Sequence, residues 1–403
     1  MNAPATDPFF WNPFDEATRR DPYALFSRAR REHPAWRHEG FPVVSVFRHA
    51  DCQAILRDPH AWSSLFPTPP GFEPEDVPRS MLVTDPPEHT RLRALVNQAF
   101  TPKRVRQLAP RIEAIAHELL DDAIARREVD LVDALTYPLP VVVIAEMIGV
   151  PIEDRARFKA WSDALVAPLG TAFFEVAPPE RVATLRRIRS ELEAYFVRLV
   201  EARRSEPRDD LLSALVAAEL EGSRLSFEEL LAMLILLLVA GNETTTNLIG
   251  NAVLDFLDHP DALAALRADP SLMPDAVEEV LRFSSPVQMD PRRAARDVEL
   301  HGIPVDAGGI VLCWLGSANR DEAVFEDPDR FDIRRSKNPH LAFGFGPHYC
   351  LGGPLAELEA EVALRVLLAR TRSFRRADDA PLSLHPSIVF RGVRCLPVVL
   401  EPA

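Results

Sequence analysis

A mainly helical fold with small β-sheets follows from three observations. Two stretches, 103–129 and 181–205, are rich in Arg, Glu, Ala and Leu with helical periodicity. A third, beginning at Leu230, is apolar all round, which suits a helix at the centre of a large core. Strand signals are short by contrast: Pro42–Phe47, Val298–Leu300, Ile303–Val305, Gly309–Cys313, Ile388–Phe390 and Val398–Leu400. The β-rich parts are therefore expected near 40–60 and 285–315, with further strands at the C-terminus.

Taken in order, Pro22 directly after Asp21 suits a helix start, and Ala50–Leu56 reads as a helix. From Ser64 to Val83 the chain carries Pro67, Pro69, Pro70, Gly71 and Pro78 among apolar residues. A loop that long is commonly functional. Phe66, Met81 and Leu82 suit a substrate lid, and a plain surface loop is the alternative. A helix is predicted from Pro87, with His89 and Arg93 four apart on one face. Two stacked donors make a clamp for a carboxylate or phosphate, although two surface residues would have the same spacing. The segment Val141–Ile148 is nearly all apolar and reads as a short buried helix. Pro168 to Pro179, with Phe173 and Phe174, breaks the pattern like a hinge between two long helices.

Ser226 and Glu229 have capping-box spacing and open the apolar helix. Inside it stand Gly241, Asn242, Glu243 and Thr244 to Thr246, before Leu248 and Ile249 resume the apolar pattern. Glycine weakens a helix interior, hydroxyls compete for its carbonyls, and a buried charge is costly unless paired. The stretch reads as a buried helix opened locally for chemistry. Glu279 and Arg282 share a helix face at i,i+3, a weak signal alone.

Four of the chain's 16 glycines, Gly344, Gly346, Gly352 and Gly353, surround Cys350 just before a predicted helix from Pro354 to about Leu368. Such a cage buries little by itself, so its shape serves something bound against the thiolate. The other cysteines, Cys52, Cys313 and Cys395, are far apart in sequence and form no CxxC pair, which fits a reducing compartment. The net charge of −14 argues against a general nucleic-acid binder. No basic-then-apolar leader is visible, and the longest apolar run, Leu230–Ala240, is too short for a membrane span. A cytoplasmic protein without a membrane anchor is expected. Neither a thiol protease nor a structural zinc explains one caged cysteine without clustered partners. A haem iron does: it takes one axial thiolate, donors for its propionates and a polarised distal pocket.

On these residues the chain resembles the bacterial cytochrome P450 family along essentially its whole length. The family's pattern Phe-x-x-Gly-x-x-x-Cys-x-Gly appears as Phe343, Gly346, Cys350 and Gly352, and its Ala/Gly-Gly-x-Asp/Glu-Thr pattern as Ala240, Gly241, Glu243 and Thr244. Its Glu-x-x-Arg pair matches Glu279 and Arg282, with Arg330 as third member of that structural network. Glu357 stands where many bacterial members carry Arg. The resemblance implies one catalytic domain, 1–403, folded as a triangular prism of helices around a buried haem b. It implies Cys350 as axial ligand, His89, Arg93, Arg292 and His348 as propionate donors, and Thr244 with Glu243 delivering protons to dioxygen. The implied reaction is hydroxylation or epoxidation of a hydrophobic small molecule such as a fatty acid, terpenoid, steroid or secondary metabolite. Electrons would come from a ferredoxin and its NAD(P)H-dependent reductase, docking a monomer on Arg104, Arg106, Arg111, Arg334, Arg335 and Lys337. Expected pocket residues are Phe66, Met81, Leu82, Phe173, Phe174, Leu236, Val239, Ala240, Val287, Met289 and Ile388. A haem-thiolate ligand sensor without turnover is the different-class alternative.

Overall fold

The apolar helix predicted at the centre is the longest element of the computed structural model, running from Phe227 to Asp258. The structure describes residues 9–68, 72–73, 80–166, 177–220 and 222–403. Ser226 caps the central helix as its spacing predicts: the Glu229 amide donates to Ser226 Oγ at 3.2 Å, and the Ser226 amide donates to Glu229 Oε2 at 2.7 Å. The helix stays α-helical through Gly241–Thr246. The predicted opening is thus absent from the backbone and present only in side chains, since the Thr244 hydroxyl donates to the Ala240 carbonyl at 2.8 Å.

Around this axis pack the helices Pro138–Ile148, Met273–Phe283 and Gly353–Arg370, and the last of these also packs on Ala109–Arg126. Their inner faces share one core in which Leu234, Ile249, Phe256, Leu281 and Leu364 are all essentially buried. Full burial of such side chains stabilises by roughly 1.5–3 kcal/mol each. Gly149 ends the Pro138–Ile148 helix at φ +78, the left-handed conformation that favours glycine at a helix C-terminus.

A five-stranded sheet stands to one side, in the order Ala35–Arg37, Val43–Val46, Ile310–Cys313, Asp290–Ala294, Trp62–Ser63. Only Val43–Val46 and Ile310–Cys313 run parallel. Three of these strands, Ala35–Arg37, Asp290–Ala294 and Trp62–Ser63, gave no sequence signal. The second reads Asp-Pro-Arg-Arg-Ala, without apolar alternation, and is a strand because Ile310–Cys313 and Trp62–Ser63 pair with it on either side. It positions Arg292. The Ile388–Phe390 segment forms only an isolated bridge, Phe390 to Val287, whereas Pro397–Pro402 is a full strand.

Among the described residues no helix is long and apolar enough to cross a membrane.

Candidate active site

Cys350 sits in the loop that enters the Gly353–Arg370 helix. Gly344 (φ +71) and Gly346 (φ +72) adopt backbone conformations that side chains resist. A Cβ on Gly346 would also lie 2.6 Å from the Leu56 carbonyl, so glycine lets the loop close onto the His49–Arg57 helix. The Cys350 amide donates to the Phe343 carbonyl at 2.9 Å, and the Phe343 ring covers Gly353, where a Cβ would touch it at 3.6 Å. Burial pushes the Cys350 thiol upward, while the amides of Gly352 and Gly353 and the Arg93 charge pull it back. Donors at a helix N-terminus favour a thiolate in this way.

His89 and His348 come together from distant segments with ring centroids 4.1 Å apart. The Glu88–Ala99 helix carries His89 and Arg93, and Asp85 anchors its start by accepting from Ser63 Oγ at 2.5 Å and the Ser64 amide at 2.7 Å. Burial, then Arg93, lowers the His89 pKa; burial, then His89 and Arg292, holds His348 down at about 3. Arg292 is buried and donates to Asp290 Oδ1 at 2.5 Å. His89 Nε2 and His348 Nε2 are buried without a hydrogen-bond partner. Four donors thus converge beside Cys350 with two orphaned ring nitrogens, a set that fits a cofactor bearing two carboxylates and a metal for the thiolate.

On the central helix, Leu236, Val239, Gly241, Glu243 and Thr244 are half-buried and Ala240 is exposed, whereas Leu234, Leu238, Asn242 and Thr245 are buried. The less-buried positions fall on one face at helical spacing. Open space surrounds the position a Gly241 Cβ would take. The Glu243 carboxylate lies 3.4 Å from His385 Nε2 and accepts from Asn247 Nδ2 at 3.4 Å. His385 and Asn247 carry no motif spacing, and sequence reading missed both.

Glu279 and Arg282 form a fully buried pair joined by two hydrogen bonds of 2.8 Å. The third side chain is Arg335, whose Nε lies 3.2 and 3.3 Å from the Glu279 oxygens. This corrects the expectation for Arg330. Its guanidinium is 65% exposed on Asp332, and only its carbonyl joins the network, accepting from Arg282 and Arg335. Arg335 is therefore committed inside and is withdrawn from the expected docking patch, and Arg111 is engaged by Glu118 and Glu146.

The expected pocket residues divide. Met81 is buried in the main core, Phe66 and Val287 are half-buried, and Leu82 is 57% exposed. Met289 and Ile388 are packed in a separate cluster with Trp11, Phe26 and Trp314, away from the central helix. At 1% exposure Met289 is a core residue, which corrects its assignment to the pocket wall. Phe173 and Phe174 lie outside the described residues.

A family model described as Cytochrome P450 matches residues 2–391. Cytochrome P450 107B1 of Saccharopolyspora erythraea is 44% identical over 405 residues, 96% of each chain. The solved structure of the bacillaene polyketide synthase cytochrome P450 PksS of Bacillus subtilis gives a TM-score of 0.89 at 38% identity, covering 97% of this chain and 100% of that one. CYP109E1 of Bacillus megaterium, solved in complex with testosterone, gives 0.85 at 38% identity over 94% and 99% of the two chains.

Proposed function

The chain belongs to the cytochrome P450 family of monooxygenases, and on that premise we propose that it oxygenates a hydrophobic, polycyclic or polyketide-like small molecule by hydroxylation or epoxidation. The observation that carries this reading is the half-buried face of the central helix. Leu236, Val239, Ala240 and Gly241 offer an apolar wall, and Glu243 with Thr244 supplies its only polar end on that face among the described residues. Relatives that bind testosterone or serve a polyketide synthase support the same substrate class.

The family's cofactor is haem b, which supplies the dioxygen and C–H chemistry when bound. Cys350 would hold its iron, and His89, Arg93, Arg292 and His348 its two propionates. The glycine cage and the Phe343 ring keep water from the sulfur, and the Gly352 and Gly353 amides hold its negative charge. His348, whose pKa is lowered chiefly by burial and then by His89, Arg292 and Arg93, would offer a ring N–H to a propionate. Thr244 Oγ donates to the Ala240 carbonyl, which leaves its lone pairs to accept a proton-bearing water on the distal side. Glu243 is the acid from which that water is recharged.

Members of the family take electrons from separate redox partners. For this chain we propose a ferredoxin with its NAD(P)H-dependent reductase, meeting a monomeric, one-domain cytoplasmic enzyme at the exposed Arg104, Arg106, Arg334 and Lys337. The test is the reduced carbon monoxide difference spectrum, followed by turnover with a ferredoxin system on a panel of macrolides, steroids and fatty acids. A thiolate-type Soret band with a product heavier by one oxygen is expected. A thiolate band with no NADPH-dependent product from any compound that shifts the spin state would overturn the monooxygenase reading.

A further inference from the structure

Glu243 has a route to solvent that the helix itself does not provide. Its side chain is 12% exposed, and it meets His385, whose own side chain is 26% exposed, at 3.4 Å from Nε2. The contact is built by the C-terminal segment. Leu384 bridges to Val393, and the His385 amide donates to the Gly392 carbonyl at 3.1 Å, so the segment folds back on itself. Gly392 is what lets this fold press against the central helix: a Cβ there would fall 1.9 Å from Asn247 Oδ1. Asn247 in turn donates to the same Glu243 oxygen.

His385 also lines a cleft of about 30 Å³ together with Trp11, Arg19, Gln288 and Arg391. That volume accommodates a water molecule. Arg391 in that wall is tied to the carbonyls of Arg19 and Arg20 at 2.7 and 3.0 Å, which holds its charge at the rim. Histidine is the side chain suited to passing protons near neutrality.

We infer that His385 is a positioning residue that holds the Glu243 carboxylate and relays solvent protons to it, an inference that rests on the monooxygenase reading. Each proton leaving the Glu243 carboxyl for the distal side is replaced by one from His385 Nε2, and the ring regains one from water in the cleft. No electron moves in the relay. It supplies the protons consumed when one atom of dioxygen leaves as water while the redox partner supplies the electrons.

His385→Gln and His385→Phe separate the relay from a simple prop. Gln keeps an amide donor for Glu243 but carries no proton; Phe keeps bulk and loses both. In the reconstituted holoenzyme, His385→Gln is expected to keep the carbon monoxide spectrum and the substrate spin shift. Product formed per NADPH should fall by about tenfold, less than the roughly 10²–10⁴-fold of a direct proton donor because His385 acts through Glu243, with hydrogen peroxide and the solvent isotope effect both rising. A His385→Gln enzyme that couples like the wild type, with only Phe defective, would reduce His385 to a prop and overturn the relay. Independently of turnover, the ring ¹⁵N resonances of His385 in the ferrous carbon-monoxide protein should move on Glu243→Gln; unmoved resonances would overturn the contact. A wild-type enzyme that yields no oxygenated product fails the monooxygenase reading instead, in a different measurement.

Discussion

Two clusters of buried charge flank the cysteine loop, and they differ in how far they are satisfied. Around Glu279 the groups balance: both carboxylate oxygens accept from Arg282 and Arg335, and the remaining Arg282 donors end on the carbonyls of Asn319, Pro328 and Arg330. Around His348 they do not. Four donors crowd together, burial and then their mutual field lower the histidine pKa values, and two ring nitrogens have no partner. Buried polar groups are normally paired. A closed network is therefore a device for holding the fold, and an open one is half of a binding site. The same helix-and-loop framework supports both, so burial and charge alone do not separate structure from function. Satisfaction does.

The comparison breaks first if the closed network is not structural. Glu279→Ala strands two buried guanidiniums, and removing one partner of a buried pair costs about 3–5 kcal/mol. Urea unfolding should show that loss, with haem content of the purified protein falling in parallel. An unchanged unfolding midpoint would mean that the Arg282 carbonyl contacts alone hold the loop.

A half-satisfied group tests the rule between the two extremes. Asp255 is buried; its Oδ1 accepts from Ser284 Oγ at 2.8 Å and its Oδ2 has no partner. Burial raises its pKa to about 7, against a weaker lowering by Ser284 and Arg320. The folded state therefore binds the proton more tightly than the unfolded chain. Its contribution is fully present below the ordinary value of 3.8 and is lost as pH rises through about 7. Asp255→Asn should remove a stability decline on the order of a few kcal/mol that runs between about pH 4 and 7. Parallel pH–stability curves for the two proteins would show that this carboxyl is not buried in the way described.

The open cluster makes the opposite prediction from the closed one. Arg93 is half-buried with its pKa lowered by burial, and among the described residues no carboxylate pairs with it. Arg93→Gln should leave the haem-free protein as stable as before, or more so. Haem transfer to a haem-free acceptor should accelerate by about tenfold, the worth of one hydrogen bond to a charged group. A variant that destabilises the haem-free protein and leaves haem transfer unchanged would place Arg93 with the structural charges.

How much of this was legible beforehand depended on whether local spacing or a distant strand set the geometry. The cysteine loop and the central helix were readable because glycine positions, the capping box and the apolar run act within one segment. The donor cluster was not readable by spacing: His89, Arg292 and His348 meet only because a polar strand is held in a sheet by its neighbours. That assignment came from family resemblance. Met289 was misplaced because an apolar side chain is expected inside without its residue type saying which cluster it enters. His385 left no signal, since its contact with Glu243 depends on Gly392 approaching the helix from 145 residues away.

The smallest expected effect is the sharpest on that last point. Arg330 and Arg335 stand five apart in one irregular loop, and composition gives no reason to prefer either as the third arm of the network. The backbone decides: the Arg330 carbonyl turns inward and its side chain outward, while Arg335 reaches Glu279. Arg330→Ala removes an exposed ion pair and should change stability by no more than about 0.5 kcal/mol, as for most surface substitutions. Arg335→Ala takes one guanidinium off a buried carboxylate and should cost several times more. If the two variants unfolded at the same urea concentration, the inward and outward assignments would be wrong. The closed network would then have two arms, with Arg282 alone balancing Glu279.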